Sequence, residues 1–186
     1  MANPIKKFPF HADDYLTWEV EQPIRHEFVD GEVFGMAGAD DRHVTIAGNA
    51  YIALRQHLKG SPCKTFMSDM KVRIEEFNCF FYPDVMVTCS AKDVENRLVK
   101  TEPILVVEVL SDSTAAFDRG GKFLKYRSLK SLQEYVLIDP VGGATDVYRK
   151  GPDGFWVLHP FSRDESVELL SVNFQIQSAD LFAEAD

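Results

Sequence analysis

Cysteine is scarce in this chain, and its few positions follow no known pattern. The three cysteines are Cys63, Cys79 and Cys89. Their number is odd and no two of them have a C-x-x-C spacing, so the sequence predicts neither a disulfide framework nor a structural zinc site. We therefore expect reduced thiols, as in a cytoplasmic protein.

Long apolar runs are also missing. No stretch of about 18 consecutive apolar residues occurs, and the two lysines of the N-terminal MANPIKKFPF are followed by no apolar segment. This pattern argues against a membrane helix and against a secretory leader. We expect a soluble, unexported, cytoplasmic protein without a membrane partner.

Positive charge is in short supply. The chain has 20 Lys and Arg against 29 Asp and Glu, a formal net charge of −9. A broad nucleic-acid surface is therefore disfavoured, because such surfaces neutralise phosphates with Lys and Arg. A local basic segment does occur at 119–130, where the basic residues are Arg119, Lys122, Lys125, Arg127 and Lys130. A solvated helix face and a phosphate-binding patch explain this segment equally well.

The order of apolar patterns predicts an α/β (α+β) fold. The length suits one domain over 1–186. We expect a short helix from Asp13 or Asp14, a hairpin turning at Asp30-Gly31, and a helix over 41–59. Strands follow at 63–75, 79–89 and 104–110, then a helix at about 115–129, four more strands and a short helix after Ser178. The predicted architecture is a central mixed sheet flanked by helices. The helix over 41–59 is expected to bury one apolar stripe, made of Val44, Ala47, Tyr51, Leu54 and Leu58.

Two carboxylates interrupt the two most apolar segments. Glu108 lies inside ILVVEVL, and Asp84 lies inside CFFYPDVMVTC. A buried charge without a partner is costly, so each must be neutral, ion-paired or bound to a metal. If the two strands are neighbours, the two side chains share a face and supply the oxygen ligands that Mg²⁺ prefers. A structural pairing with an arginine, or a turn cap, explains them as well.

A lysine on the following helix completes the candidate site. Asp118, Lys122 and Tyr126 are four residues apart and so lie on one helix face. An ordinary Asp-Lys helix pair would account for the first two. A helix that directly follows the Glu108 strand can instead direct Lys122 over the carboxylates, where an ammonium stabilises charge on a phosphorane or orients water.

These residues carry a resemblance to a known family. The chain resembles the Uma-two type restriction endonucleases, a branch of the PD-(D/E)XK nuclease superfamily. The matching stretches cover nearly the whole chain: RHEFVDGEV at 25–33, RHVTIAGNAYIAL at 42–54, YPDVMV at 82–87, ILVVEVLSDSTAAFDRGGKFLKYRSLKSLQEYVLIDP at 104–140 and DVYRKGPDGFW at 146–156.

The resemblance implies a restriction-endonuclease-like core with Asp84 and Glu108 as ligands of Mg²⁺ or Mn²⁺. The superfamily lysine is expected two residues after the second acid, but Leu110 stands there, so its role maps onto Lys122. Glu27 matches an acid that the superfamily often places near the metal, although a Glu beside a D-G turn is as often simply solvated. Asp84, Glu108, Lys122 and Glu27 are thus the predicted catalytic residues.

The remaining candidates have weaker support. The Val109 backbone carbonyl is a further candidate metal ligand. His43, which matches a recurrent histidine of the family, and Lys125 are candidate substrate contacts, but His43 is also an ordinary residue for the start of a helix. The predicted activity is metal-dependent hydrolysis of phosphodiester bonds in DNA, with a homodimer as a possible assembly. The alternative is a non-catalytic nucleic-acid-binding or dimeric scaffold that retains the fold; a sugar hydrolase using the two acids leaves Lys122 unexplained.

Overall fold

The computed structural model describes residues 4, 6–7, 11–36 and 38–185. The helices are α1 (Ala12–Glu19), α2 (Asp41–His57), α3 (Ala91–Glu95), α4 (Ala115–Phe117), α5 (Phe123–Tyr126) and α6 (Ser178–Leu181). The strands are β1 (Lys6–Lys7), β2 (His26–Val29), β3 (Glu32–Gly35), β4 (Lys64–Met67), β5 (Lys71–Ile74), β6 (Cys79–Phe81), β7 (Val85–Thr88), β8 (Val99–Lys100), β9 (Pro103–Val109), β10 (Glu134–Ile138), β11 (Thr145–Lys150), β12 (Trp156–Phe161), β13 (Ser166–Leu169) and β14 (Phe174–Gln177).

Most of these strands form two six-stranded mixed sheets. The first has the order β1-β3-β2-β6-β5-β8 and the second the order β12-β11-β10-β9-β7-β4, while β13 and β14 form a separate hairpin. In the second sheet β9 and β10 are parallel, and β7 runs antiparallel to β9. The predicted α+β architecture, with mixed sheets flanked by helices, is confirmed, but the strands are divided between two sheets rather than gathered in one.

The predicted hairpin is confirmed by β2 and β3. Asp30 and Gly31 have φ angles of 45° and 89°, both in the left-handed region that a tight two-residue turn requires. The turn sets the register of the pair, in which Glu27 lies opposite Phe34. β2 also pairs with β6, so the turn fixes the position of Glu27 within the first sheet.

Helix α2 packs on the face of the second sheet formed by Val85, Val87, Leu105 and Val107. Asp40 caps it, because the Asp40 side chain accepts a hydrogen bond from the His43 backbone N–H. The predicted helix is confirmed, but one member of its predicted stripe is wrong. Val44 is 56% exposed, and Ile46 with Ala50 contributes to the buried face instead.

The apolar segment 79–89 was predicted as one strand, and this prediction is wrong. β6 belongs to the first sheet and β7 to the second, with residues 82–84 crossing between them. Both strands are fully buried, so the change of sheet leaves the apolar pattern unbroken. Asp84 therefore lies at the crossover, immediately before β7, rather than inside a strand.

The expectation of three reduced thiols is also wrong. Cys63 and Cys89 form a disulfide, with Cα atoms 4.0 Å apart, and Cys79 is the free buried thiol. In the antiparallel pair of β4 and β7, Lys64 lies opposite Thr88. Cys63 precedes Lys64 and Cys89 follows Thr88, so the two cysteines also lie opposite each other. Such a pairing depends on strand register, which the spacing of cysteines along the chain does not reveal.

Residues 115–126 form a nearly continuous helical segment that follows β9. Between α4 and α5 the residues Asp118–Lys122 take a wider π-helical turn. Gly121 permits close packing here, because a Cβ at this position would lie 2.6 Å from the Phe117 ring. The segment ends at Tyr126, earlier than the predicted 129. It directs Lys122 toward an acid of each sheet, Glu27 of the first and Glu108 of the second.

Within the described ranges, no helix has the length and apolar character needed to cross a bilayer.

Candidate active site between the two sheets

The predicted acids come from three different parts of the fold. Glu27 lies on β2 of the first sheet, Glu108 on β9 of the second, and Asp84 at the crossover between them. Val85 pairs with Val107, so the antiparallel register of β7 and β9 places Asp84 opposite Glu108. The neighbouring strands that the sequence analysis assumed are therefore present.

Lys122 joins the acids of the two sheets. Its Nζ lies 3.0 Å from Glu27 Oε1, 3.0 Å from Glu108 Oε1 and 3.4 Å from Asp118 Oδ1. The Lys122 side chain is 7% exposed, and those of Glu108 and Asp118 are 5% and 3% exposed. The predicted grouping of Lys122 with Glu108 and Glu27 is thus present as a buried ion-pair cluster.

Asp84 is held through both of its carboxylate oxygens. Oδ2 accepts a 2.7 Å hydrogen bond from the Val109 backbone N–H. Oδ1 lies 3.1 Å from His43 Nε2, and since a carboxylate only accepts, the imidazole is the donor. His43 is brought here by the first turn of α2. The structure therefore fixes the orientation of Asp84 with one backbone and one side-chain donor.

The cluster contains more negative than positive charge. Its four carboxylates are Asp84, Glu27, Glu108 and Asp118. Set against the Lys122 ammonium they leave a formal charge of −3, or −2 when His43 is protonated. An excess of buried negative charge is unfavourable unless a proton or a cation compensates it.

Burial and crowding shift the proton affinities in the cluster. Burial raises the pKa of Glu108 well above its ordinary value, and the neighbouring carboxylates add to this rise while Lys122 opposes it. For Lys122, burial lowers the pKa, but Glu108, Glu27 and Asp118 together outweigh burial and hold the pKa above its ordinary value. Lys122 is therefore charged at neutral pH.

Several polar atoms of this region have no hydrogen-bond partner among the described residues. They are His43 Nδ1, Glu108 Oε1, Asp118 Oδ1 and the Tyr126 hydroxyl oxygen. Glu108 Oε1 and Asp118 Oδ1 are ion-paired with Lys122, but without the geometry of a hydrogen bond. Buried polar groups are ordinarily satisfied, so their concentration around one lysine marks this region as a candidate binding site.

Other candidates take different positions. The Lys125 ammonium lies over the rings of Phe77 and Phe117, 5.5 and 6.0 Å from their centroids. Arg119 pairs with Asp146 at 2.7 Å. Of the basic segment 119–130, Lys122 is therefore the member that enters the carboxylate cluster within the described part of the chain.

The fourth carboxylate, Asp118, was not among the predicted site residues. Its spacing of four from Lys122 was the available signal, but the same spacing is common on solvated helices. The His43–Asp84 contact joins residues 41 positions apart, so no local pattern announces it. In the described ranges no three His, Cys, Asp or Glu side chains stand together as a ready-made metal site; the acids are arranged around an ammonium.

Comparisons with known proteins agree with the resemblance in the sequence. The model of the Uma2 family, described as "Putative restriction endonuclease", matches residues 12–180. "Uncharacterized protein slr1290" of Synechocystis sp. is 37% identical over 171 residues, which cover 91% of this chain and 90% of that protein. "Uncharacterized protein sll1609" of the same organism is 36% identical over 168 residues, covering 89% and 90%.

A solved structure has the same fold. It is that of a "putative nuclease belonging to DUF820" from Anabaena variabilis, with a TM-score of 0.79 and 18% sequence identity, covering 95% of this chain and 99% of that one. At this level of identity the likeness establishes the fold alone.

Proposed function

The chain belongs to the Uma2 family, and on this basis we propose that it is a metal-dependent endonuclease that hydrolyses phosphodiester bonds in DNA. The observation that supports this proposal most strongly is the cluster of three carboxylates around Lys122, with Asp84 beside it and with two carboxylate oxygens that accept no hydrogen bond within the described residues. Surplus negative charge and unsatisfied oxygens fit a divalent cation.

The donor set matches a hard cation. Carboxylate and carbonyl oxygens are the ligands that Mg²⁺ and Mn²⁺ favour. Asp84 and Glu108 would hold the ion, with Glu27 and the Val109 carbonyl as further donors. When bound, such an ion supplies Lewis-acid polarisation of the scissile phosphate and makes an attacking water more acidic.

The protein's own groups have separate tasks in this proposal. His43 and the Val109 N–H keep the Asp84 carboxylate in one orientation. The Lys122 ammonium stabilises negative charge that develops on the phosphate. Lys125, on the same helical segment, would contact a flanking phosphate. The chain has a net charge of −9, so positive charge for binding DNA must come from such local contacts.

A cleavage assay tests the proposal. Purified protein is incubated with supercoiled plasmid and with single-stranded DNA, in Mg²⁺, in Mn²⁺ and in chelator. We expect cleavage that requires the ion, that is lost in Asp84→Asn and Glu108→Gln, and that is retained in Glu95→Gln, which removes an exposed carboxylate on α3.

Two outcomes would contradict the proposal. One is intact DNA of both kinds with the wild-type protein in either ion. The other is equal cleavage by wild type and by Asp84→Asn prepared in the same way. Binding of DNA without cleavage would favour the alternative, a non-catalytic module that retains the nuclease fold.

A further inference from the structure

Lys122 occupies the position in which the two sheets present their carboxylates to each other. Its ammonium contacts Glu27 Oε1 and Glu108 Oε1 at the same distance, 3.0 Å. These oxygens belong to two of the side chains proposed to bind the metal ion. The ammonium and the ion would therefore share the same two carboxylates.

The surroundings of Lys122 keep its ammonium in this place. Lys122 ends the π-helical turn that packs against Phe117, and its Nζ lies 5.5 Å from the centroid of the Phe81 ring. The whole residue is 6% exposed. Its aliphatic stem is thus enclosed, and the ammonium can change partners by pivoting but not by moving out to solvent.

A third anion lies within reach of such a pivot. Asp118, one helical turn earlier, has Oδ1 3.4 Å from Lys122 Nζ, and this buried oxygen accepts no hydrogen bond within the described residues. Asp118 is held by the helix, and the Tyr135 hydroxyl donates to its backbone carbonyl. A lysine that loses Glu27 and Glu108 therefore keeps a charged partner.

Two cations held by the same pair of carboxylates repel each other strongly, because the protein interior screens charge poorly. We propose that Lys122 is a built-in competitor for the metal site: in the metal-free protein its ammonium pairs with Glu27 and Glu108, and the arriving ion displaces it onto Asp118. This inference rests on the proposed metal site and adds to it an exchange of partners. Asp118 becomes a positioning residue that keeps the ammonium next to the phosphate.

The exchange has a direct thermodynamic consequence. The ion must replace the ammonium, so its affinity is lower than the carboxylates alone would give. Removal of the ammonium should therefore strengthen metal binding even while it abolishes cleavage. A lysine that only assisted the reaction would leave metal affinity unchanged.

Calorimetric titration with Mn²⁺ measures this difference. We expect Lys122→Met to bind Mn²⁺ at least about tenfold more tightly than wild type, a factor typical of coupling between two ligands of one protein. Lys130→Met is the matched control, since it makes the same chemical change at an exposed lysine eight residues further along. We expect the wild-type affinity in this control.

A measurement on the unmutated side chain covers the case in which Lys122→Met does not fold, since a lysine removed from buried carboxylates leaves charge uncompensated. In protein labelled with ¹⁵N-lysine, the Lys122 ammonium signal should shift on saturation with Mg²⁺ and remain visible, because Asp118 protects it from solvent. In Asp118→Asn the same signal should broaden when Mg²⁺ is added.

The outcomes separate this inference from the proposed function. Equal Mn²⁺ affinity in wild type and Lys122→Met, or a Lys122 signal unchanged by saturating Mg²⁺, overturns the competition and leaves the nuclease proposal intact. If wild type binds no Mn²⁺, or if Asp84→Asn binds Mn²⁺ as tightly as wild type, the metal site itself is overturned, and the competition with it.

Discussion

Two buried glutamates on neighbouring strands of the second sheet have opposite surroundings. Glu134 on β10 is fully buried, and its oxygens accept hydrogen bonds from Arg149 Nε, the Leu170 and Ser171 backbone N–H groups and the Ser171 hydroxyl. Glu108 on β9 is 4% exposed, and its Oε1 accepts no hydrogen bond within the described ranges. One glutamate is satisfied and the other is not.

The charge balance differs in the same way. Glu134 faces one cation, Arg149, at 2.8 Å. Glu108 shares one cation with two further carboxylates, Glu27 and Asp118. The comparison shows that burial alone does not identify a functional acid. The informative signs are surplus charge and missing hydrogen bonds, which stabilising ion pairs avoid.

The largest expected effect distinguishes the two glutamates by activity. In Glu108→Gln we expect ion-dependent DNA cleavage to fall by about a thousandfold, since loss of the proposed metal ligand would remove several kcal/mol of transition-state stabilisation. Its unfolding free energy at neutral pH should equal or exceed that of wild type. The pKa of Glu108 is raised in the folded state, so ionisation of Glu108 lowers the free energy of unfolding as pH rises above the ordinary pKa of glutamate. Glutamine does not ionise, so Glu108→Gln removes this loss of stability. DNA cleavage and urea denaturation are the measurements. A marked loss of stability in Glu108→Gln would contradict the difference assigned to Glu108 and Glu134.

Glu134→Gln should give the reverse result. Loss of the charge leaves the largely buried Arg149 without a carboxylate partner, and we expect the unfolding free energy to fall by about 3 to 5 kcal/mol. Urea denaturation measures this change. Glu134→Gln does not change the proposed metal-binding side chains, so the folded fraction should retain wild-type affinity for Mn²⁺. A stable variant that has lost Mn²⁺ binding would reverse the roles assigned to the two glutamates.

Loss of the disulfide, like Glu134→Gln, should lower the free energy of unfolding. Cys63→Ser removes a cross-link between residues 26 apart, and the chain-entropy model gives a loss of roughly 3.5 kcal/mol. Denaturation with and without reductant measures it, and reductant should not further destabilise the variant. Equal stability of oxidised and reduced wild type would contradict this prediction.

The smallest expected effect concerns His43. His43→Gln removes the imidazole that orients Asp84, and we expect Mn²⁺ affinity to fall by about 10- to 100-fold, as for other groups that orient metal ligands. Calorimetric titration measures the loss, with His159→Gln as a control on β12. Unchanged affinity in His43→Gln would show that the Val109 N–H alone orients Asp84.

The same variant carries a pH signature. Burial lowers the pKa of His43, but the hydrogen bond and charge of Asp84 outweigh it, so the folded pKa lies above the ordinary value. The stability that this proton adds is complete below the ordinary pKa of 6.5 and is lost as pH rises through the folded pKa. Unfolding free energy measured across this window should decline in wild type, and the part of the decline due to His43 should be missing in His43→Gln.

Local patterns in the sequence predict much of the fold. The Asp30-Gly31 turn, the amphipathic α2 and the apolar strand around Glu108 depend on neighbouring residues, and the structure contains each of them. The single strand predicted over 79–89 was wrong because two buried strands in succession have one continuous apolar pattern. Pro83, next to Asp84, was the sign of a break.

The candidate site was predictable only in part. Asp84 and Glu108 were found because charge in apolar segments is unusual. Lys122 was inferred from its helix, which directly follows the Glu108 strand, and from the family resemblance, and it does contact Glu108. The contact of His43 with Asp84 and the disulfide depend on how distant elements meet. Glu134 shows that a glutamate in a buried strand does not by itself indicate a functional site. Its carboxylate accepts hydrogen bonds from an arginine and from two backbone N–H groups, which the sequence pattern does not reveal.

The most direct test of the account is a crystal soaked in Mn²⁺ and measured at the manganese absorption edge. The account predicts an anomalous peak within coordination distance of Asp84 and Glu108, with Lys122 Nζ moved from Glu108 toward Asp118. A site without an anomalous peak, in which Lys122 Nζ stays 3.0 Å from Glu27 and from Glu108, would contradict it.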